Sequence, residues 1–182
     1  MFYNRRREIL QINVAGQLKS EVGTARTYEV SDCLDVTGEG DESPVEGEVK
    51  LTRTDRSILV KGGLSTEVRV ACARCLAEFV CPLTLDIEEE YFPTIDIVSG
   101  NPVKSEGEPG AFTIDEHHVL DLSEAVRQYA LTAVPIKPLC RPDCAGLCPV
   151  CGKDLNPGVC NCVRTEIDPR WSKLIELKAK DK

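Results

Sequence analysis

The chain has 182 residues, with 22 Lys and Arg against 30 Asp and Glu, a formal charge of −8. That length buries a real core without disulfides and suits one domain with a small appendage, and a hydrophobic content of 42% excludes a wholly disordered chain. No apolar stretch approaches the roughly 20 residues of a membrane-spanning helix, and 5% aromatic residues argue against a stacking platform for single-stranded bases.

Ile12 and Val14 suggest a short first strand, followed by a brief helix or turn and a second strand around Tyr28–Val30. Gly38-Glu39-Gly40-Asp41-Glu42-Ser43-Pro44 reads as an acidic loop. An all-β passage comes next. Val45, Val49 and Leu51 share one parity against Glu46, Glu48 and Lys50; Ile58 and Val60 follow, and Gly62-Gly63 reads as a turn. Val68, Val70 and Cys72 alternate with Glu67 and Arg69, and Phe79, Cys81, Leu83, Leu85 and Ile87 form the longest alternation. Period-two patterning with polar residues opposite predicts strands with one buried face.

The Pro/Gly-rich stretch 93–111 predicts a long loop, with a short strand at Phe112–Ile114. Asp121-Leu122-Ser123-Glu124 has the pattern of a capped helix start, and Leu122, Ala125, Val126, Tyr129, Ala130 and Ala133 recur at helical spacing up to Val134-Pro135. Asp168-Pro169 predicts a last helix with an apolar stripe of Trp171, Leu174, Ile175 and Leu177. The fold class expected is α+β: a curved antiparallel sheet or small open barrel with one packing helix, then a Cys-rich zinc-knuckle segment and a terminal helix. Residues 1–136 would form the β-rich domain and 137–182 the Cys-rich tail.

Ten cysteines are many for this length, and six fall between Cys140 and Cys162. Arg5-Arg6-Arg7 resembles the basic start of a signal peptide, but Gln11 and Asn13 interrupt the apolar run that should follow. A cytoplasmic protein with reduced thiols is therefore expected, and clustered reduced thiols read first as metal ligands. Cys148-Pro149-Val150-Cys151-Gly152 is the strongest local signal: two thiols in a tight turn, with a glycine that lets backbone amides face the sulfurs. Cys160-Asn161-Cys162 is the preferred second pair, returned by the turn at Asn156-Pro157-Gly158; Cys140 and Cys144 compete with it. Four thiolates leave no open coordination position, so a structural Zn²⁺ is expected.

Cys72-Ala73-Arg74-Cys75 lies between two strands and reads as a second knuckle, a redox pair or an empty hairpin turn. A bolder arrangement joins Cys72 and Cys75 to Cys140 and Cys144 as a second metal site. Arg74 in that turn would be placed to engage an acidic partner or a phosphate, against the plainer reading of a solvated Arg. Cys81 falls on a buried parity, Cys33 is isolated, and His117-His118 and the Asp86–Glu90 charge run read as surface. There is no phosphate-binding glycine loop and no nucleophile elbow, so no catalytic residue is expected and the chain reads as non-enzymatic.

Ile12-Asn13-Val14, Cys72-Ala73-Arg74-Cys75-Leu76, Asp121-Leu122-Ser123-Glu124-Ala125, Cys144-Ala145-Gly146-Leu147-Cys148-Pro149-Val150-Cys151-Gly152, Asp154-Leu155-Asn156, Cys160-Asn161-Cys162 and Asp168-Pro169-Arg170 occur in this order. As a set they resemble the YceD family of large ribosomal RNA subunit accumulation proteins. The resemblance implies a bacterial or plastid-type ribosome biogenesis factor needed for accumulation of large-subunit rRNA, with no catalytic residue to carry over.

Charge placement bears on the partner. Residues 1–136 hold thirteen Lys and Arg against twenty-four Asp and Glu, and residues 137–182 hold nine against six. An acidic body suits a basic ribosomal protein or an assembly factor better than bare RNA, with precursor rRNA a subordinate partner through the basic tail. Neither a membrane nor a small-molecule substrate is expected. The alternative function is a zinc-thiolate redox switch or redox-regulated chaperone, in which oxidation expels the metal.

Overall fold

The computed structural model describes residues 10–38, 40–103 and 110–162. In chain order these form β1 (Gln11–Asn13), α1 (Ala15–Leu18), β2 (Ala25–Asp35), β3 (Glu42–Arg53), β4 (Ile58–Ala71), β5 (Glu78–Pro93), β6 (Phe112–Ile114), β7 (Val119–Asp121) and α2 (Ser123–Ala133). The seven strands make one sheet in the order β1-β7-β6-β5-β4-β3-β2, curled into a half-barrel.

The alternation in the sequence is what the sheet buries. Val45, Val49 and Leu51 of β3, Ile58, Val60, Leu64 and Val68 of β4, and Cys81, Leu83, Leu85 and Ile87 of β5 all face inward. On this face α2 lays Ala125, Val126 and Ala130, joined by Leu122. Burying each large apolar side chain contributes about 1.5–3 kcal/mol, so a contiguous face of this size supplies the driving force for the fold. The β5 edge is paired with β6 only from Tyr91 to Pro93. Further back along β5, the Tyr129 hydroxyl of α2 donates to the Glu88 carbonyl at 3.2 Å, within 3.0 Å of the Glu89 carboxylate.

The structure departs from the sequence expectations at particular points. The sheet is mixed rather than antiparallel throughout, because β6 returns beside the end of β5 in parallel, Tyr91 opposite Phe112. The strand β7 was not anticipated; three residues are too short to show an alternation. Glu42, Ser43 and Pro44, expected in a loop, belong to β3. Pro44 is tolerated because β4 begins to pair with β3 only at Glu46, leaving an edge at Pro44.

Gly62-Gly63 is no turn but lies within the continuous strand β4. A Cβ on Gly62 would run into the Glu48 carbonyl oxygen and sit 2.7 Å from Val49 Cα of the neighbouring strand. Glycine here permits a close approach of two backbones in a curled sheet, a role that resembles a turn signal in sequence. Asp121 ends β7, and its carboxylate accepts the Ser123 N–H at 2.8 Å, while Glu124 is drawn to Arg127 and Gln128 instead of closing a capping box. The stretch after β5 carries a bridge between Ile95 and Pro102. The helix expected after Asp168-Pro169 lies outside the described residues.

Candidate metal centres

The β4–β5 hairpin ends in Cys72-Ala73-Arg74-Cys75, and the chain after α2 passes directly beneath it. Ala73 N–H donates to the Pro138 carbonyl at 2.8 Å, Leu147 N–H to the Arg74 carbonyl at 3.1 Å, and the Arg74 guanidinium to the Cys144 carbonyl at 2.8 Å. These bonds set Cys140 and Cys144 against Cys72 and Cys75, and all four sulfurs lie within 4.8 Å of one another. A second set, Cys148, Cys151, Cys160 and Cys162, meets the same limit. Cys140 and Cys144, whose spacing in sequence competes with that of the Cys160–Cys162 pair, thus join the hairpin. Arg74, read as a partner-facing residue, has part of its guanidinium turned back onto the tail.

Each cluster could hold a metal ion. In the hairpin cluster Cys75 and Cys140 sulfurs are 3.7 Å apart and Cys72 and Cys144 sulfurs 3.8 Å. Four thiolates placed at about 2.3 Å around a tetrahedral ion have S···S edges of about 3.8 Å, whereas a disulfide would need about 2.05 Å. The donor set and spacing therefore fit a thiolate-loving tetrahedral cation. The two clusters differ in exposure. Cys72, Cys75 and Cys144 are buried, whereas in the second only Cys148 is buried and Cys151 is exposed.

The two CxxC turns are built by the same three hydrogen bonds. Cys72 N–H donates to the Ala77 carbonyl at 2.9 Å, Leu76 N–H to the Cys72 carbonyl at 2.9 Å, and Arg74 N–H to the Cys72 sulfur at 3.5 Å. Cys148 N–H donates to Lys153 at 2.8 Å, Gly152 N–H to Cys148 at 2.9 Å, and Val150 N–H to the Cys148 sulfur at 3.4 Å. Amides aimed at sulfur stabilise its anion, as a thiolate ligand requires. Both turns close on a left-handed residue: Gly152 at φ 72 and Leu76 at φ 61. Leucine there costs about 1–2 kcal/mol relative to glycine, and its side chain is 66% exposed, so packing does not repay the strain.

Electrostatics within each cluster are divided. Backbone N–H groups of Cys140 and Cys75 bring the Cys72 thiol down to about 6, and those of Cys151 and Val150 bring Cys148 down to about 6. Burial and the neighbouring Cys75 push Cys140 up to about 12; Cys151 beside it, with burial, pushes Cys162 up to about 12. Without an ion, one thiolate per cluster is favoured and another resisted, because several anions cannot share so small a volume. A dication removes that conflict.

Asn156 was not singled out as a functional residue in the sequence. It lies between Cys151 and Cys160, yet its amide Nδ2 donates to the Cys144 sulfur of the other cluster at 3.6 Å. The remaining expectations fall simply: Cys81 is in the core, Cys33 is exposed, and His117-His118 occupies the tight turn before β7.

A family model described as large ribosomal RNA subunit accumulation protein YceD matches residues 60–178. An uncharacterised protein of Mycobacterium tuberculosis is 30% identical over 133 residues, covering 71% of this chain and 60% of the relative. Proteins named large ribosomal RNA subunit accumulation protein YCED homolog 1, chloroplastic, are similar in two plants. That of Arabidopsis thaliana is 26% identical over 191 residues (93% of this chain, 57% of the relative), and that of Zea mays 28% over 173 residues (81% and 59%). The chain thus spans about 60% of the length of these relatives. No solved structure matches. The matched span takes in the hairpin turn and both cysteine clusters, and on it this chain belongs to the YceD family of large ribosomal RNA subunit accumulation proteins.

Proposed function

We propose that the chain is a non-enzymatic ribosome biogenesis factor that supports accumulation of large-subunit ribosomal RNA by docking a basic ribosomal protein, or an assembly factor or precursor particle that displays one. The names of the family and of its plant relatives support the process. The observation that carries the docking mode is the wet face of the sheet. Glu29, Glu46, Glu48, Glu67 and Asp86 all point outward from β2, β3, β4 and β5, and Glu29 stands directly opposite Glu48. Like charges directly opposed destabilise a sheet; a basic partner offsets that repulsion.

Both clusters are read as structural Zn²⁺ centres, with the hairpin centre joining the β-domain, residues 1–136, to the tail, residues 137–182. Two ions each held by four thiolates carry about −2 apiece, which cancels the tail's excess of nine basic over six acidic residues. Protein is therefore favoured over bare rRNA as the first contact, and Leu76, exposed and strained at the hairpin tip, supports a contact there as well. The reading puts the protein in the cytoplasm, where thiols stay reduced. Among the described residues no helix is long and apolar enough to cross a membrane.

The test is affinity capture of the full chain and of a Glu46→Lys, Glu48→Lys, Asp86→Lys variant from cells, with protein and RNA identified in each. Capture of a basic ribosomal protein or assembly factor by the parent and its loss from the variant support the reading; recovery of rRNA alone, equally from both, refutes it. One observation favours a redox switch as a second reading, the exposure of Cys151. Peroxide would then take two electrons from each pair of thiolates, form a disulfide and expel the ion, changing partner capture; release without such a change leaves zinc a structural role.

A further inference from the structure

The tail does not fold as a knuckle hung beside a separate hairpin. Cys148, Cys151, Cys160 and Cys162 lie within one short stretch, so the outer centre is closed by local chain. The loop it closes packs on the segment that follows Cys144. Leu147 pairs with Asp154, and Leu155 N–H donates to the Gly146 carbonyl at 2.9 Å. Asn156 then reaches across. Its Oδ1 accepts from Arg141 Nη2 at 2.6 Å and from Ala145 N–H at 2.9 Å, while its Nδ2 donates to Asp154 Oδ1 at 2.7 Å and to the Cys144 sulfur at 3.6 Å.

All four hydrogen-bonding positions of that side-chain amide are used. Arg141 and Ala145 both present N–H groups, which fixes the oxygen toward them and the NH₂ toward sulfur. Asn156 thus holds the 141–145 turn in shape and donates to one ligand of the inner cluster, while its own place depends on the loop that the outer cluster closes.

We propose that the two thiolate centres are an energetically coupled pair: an ion in the outer centre, by ordering the loop that carries Asn156, tightens ion binding at the inner centre, with Asn156 the positioning residue that transmits the effect. This rests on the reading that both clusters bind metal. The chemistry is that of an outer-shell donor. An N–H bonded to a thiolate stabilises its negative charge and orients the sulfur lone pairs. Coupling of this kind is reciprocal, so an ion in the inner centre tightens the outer one by the same factor.

The experiment uses the full reduced chain with Zn²⁺ in competition against a chromophoric chelator, and Co²⁺ as a spectroscopic probe of tetrahedral thiolate. Cys151→Ser with Cys160→Ser leaves only the inner centre; Cys75→Ser with Cys140→Ser leaves only the outer. Each isolated centre is expected to bind about tenfold or more weakly than in the parent, by matching factors. Asn156→Asp keeps every thiol and the acceptor for Arg141 and Ala145, but replaces the donor to sulfur by an anion. It is expected to weaken the inner centre about tenfold or more, shift its Co²⁺ charge-transfer band and leave the outer centre's spectrum unchanged. Asn156→Gln, which restores a donor, is expected to recover part of the loss. Unchanged affinity of the inner centre in both the Cys151/Cys160 and the Asn156→Asp variants would overturn the coupling while leaving two metal sites in place. A parent protein that binds neither ion would instead remove the metal reading beneath it.

Discussion

Gly62 and Gly63 are adjacent in β4, yet substitution at the two positions should act in opposite directions. At Gly62 an added Cβ collides with the Glu48 carbonyl oxygen and stands 2.7 Å from Val49 Cα and 2.8 Å from Val49 Cγ1. Two of these obstacles are backbone atoms of a paired strand, so the clash cannot be relieved by a rotamer change. Overpacking of this kind costs about 1–3 kcal/mol or more. At Gly63 the nearest atom to an added Cβ is Asp86 Oδ1 at 4.0 Å, and alanine there should stabilise by about 0.4–1 kcal/mol through the lower entropy of the unfolded chain. Gly62→Ala and Gly63→Ala should therefore differ by about 1.5–4 kcal/mol. Urea unfolding of both, in zinc-saturated reducing buffer and followed by circular dichroism, measures the difference. Equal midpoints, or a Gly62→Ala protein as stable as the parent, would show that the strands do not meet closely at this bend.

Two further outcomes follow from the buried and clustered groups. Cys140 and Cys162, pushed up to about 12, keep their protons at neutral pH, so an ion must displace them; apparent Zn²⁺ affinity should rise at least about tenfold per pH unit between 7 and 8. Below about 6 the Cys72 and Cys148 thiolates are protonated as well, and the dependence should steepen; chelator competition across this range checks both slopes, and a flat profile would exclude thiolate ligation. Tyr91 is buried with a hydroxyl that has no hydrogen-bond partner among the described residues, and burial together with Asp121 and Glu89 raises its pKa. Tyr91→Phe should leave stability unchanged or raise it by up to about 1 kcal/mol, since no bond is lost and a desolvated polar group is removed; a loss larger than that by urea titration would show that the hydroxyl is in fact bonded.

Much of the candidate site could be read in the chain. Cys148, Cys151, Cys160 and Cys162 are close in sequence and separated by turn-forming residues, so their meeting is a local event that spacing foretells. The strands were legible for a similar reason, because Val45, Val49 and Leu51 alternate with Glu46, Glu48 and Lys50, and Leu83, Leu85 and Ile87 with Thr84, Asp86 and Glu88, and a sheet with one wet face demands that pattern. What escaped was the meaning of residues whose role depends on a neighbour distant in sequence. Gly62-Gly63 looks like a turn until Glu48 and Val49 are beside it, and the parallel contact of β6 with β5 has no local signature.

The sequence by itself determined that a β-rich body carries a thiol-rich tail, because period-two burial and CxxC spacing are properties of short stretches of chain. Only the tertiary structure decided that the tail closes back on the hairpin, making one cluster from Cys72, Cys75, Cys140 and Cys144 and placing Asn156 at its edge. Partners separated by some 65 to 72 positions are chosen by the shape of the packed sheet and the direction in which α2 delivers the chain, and no local spacing encodes that direction.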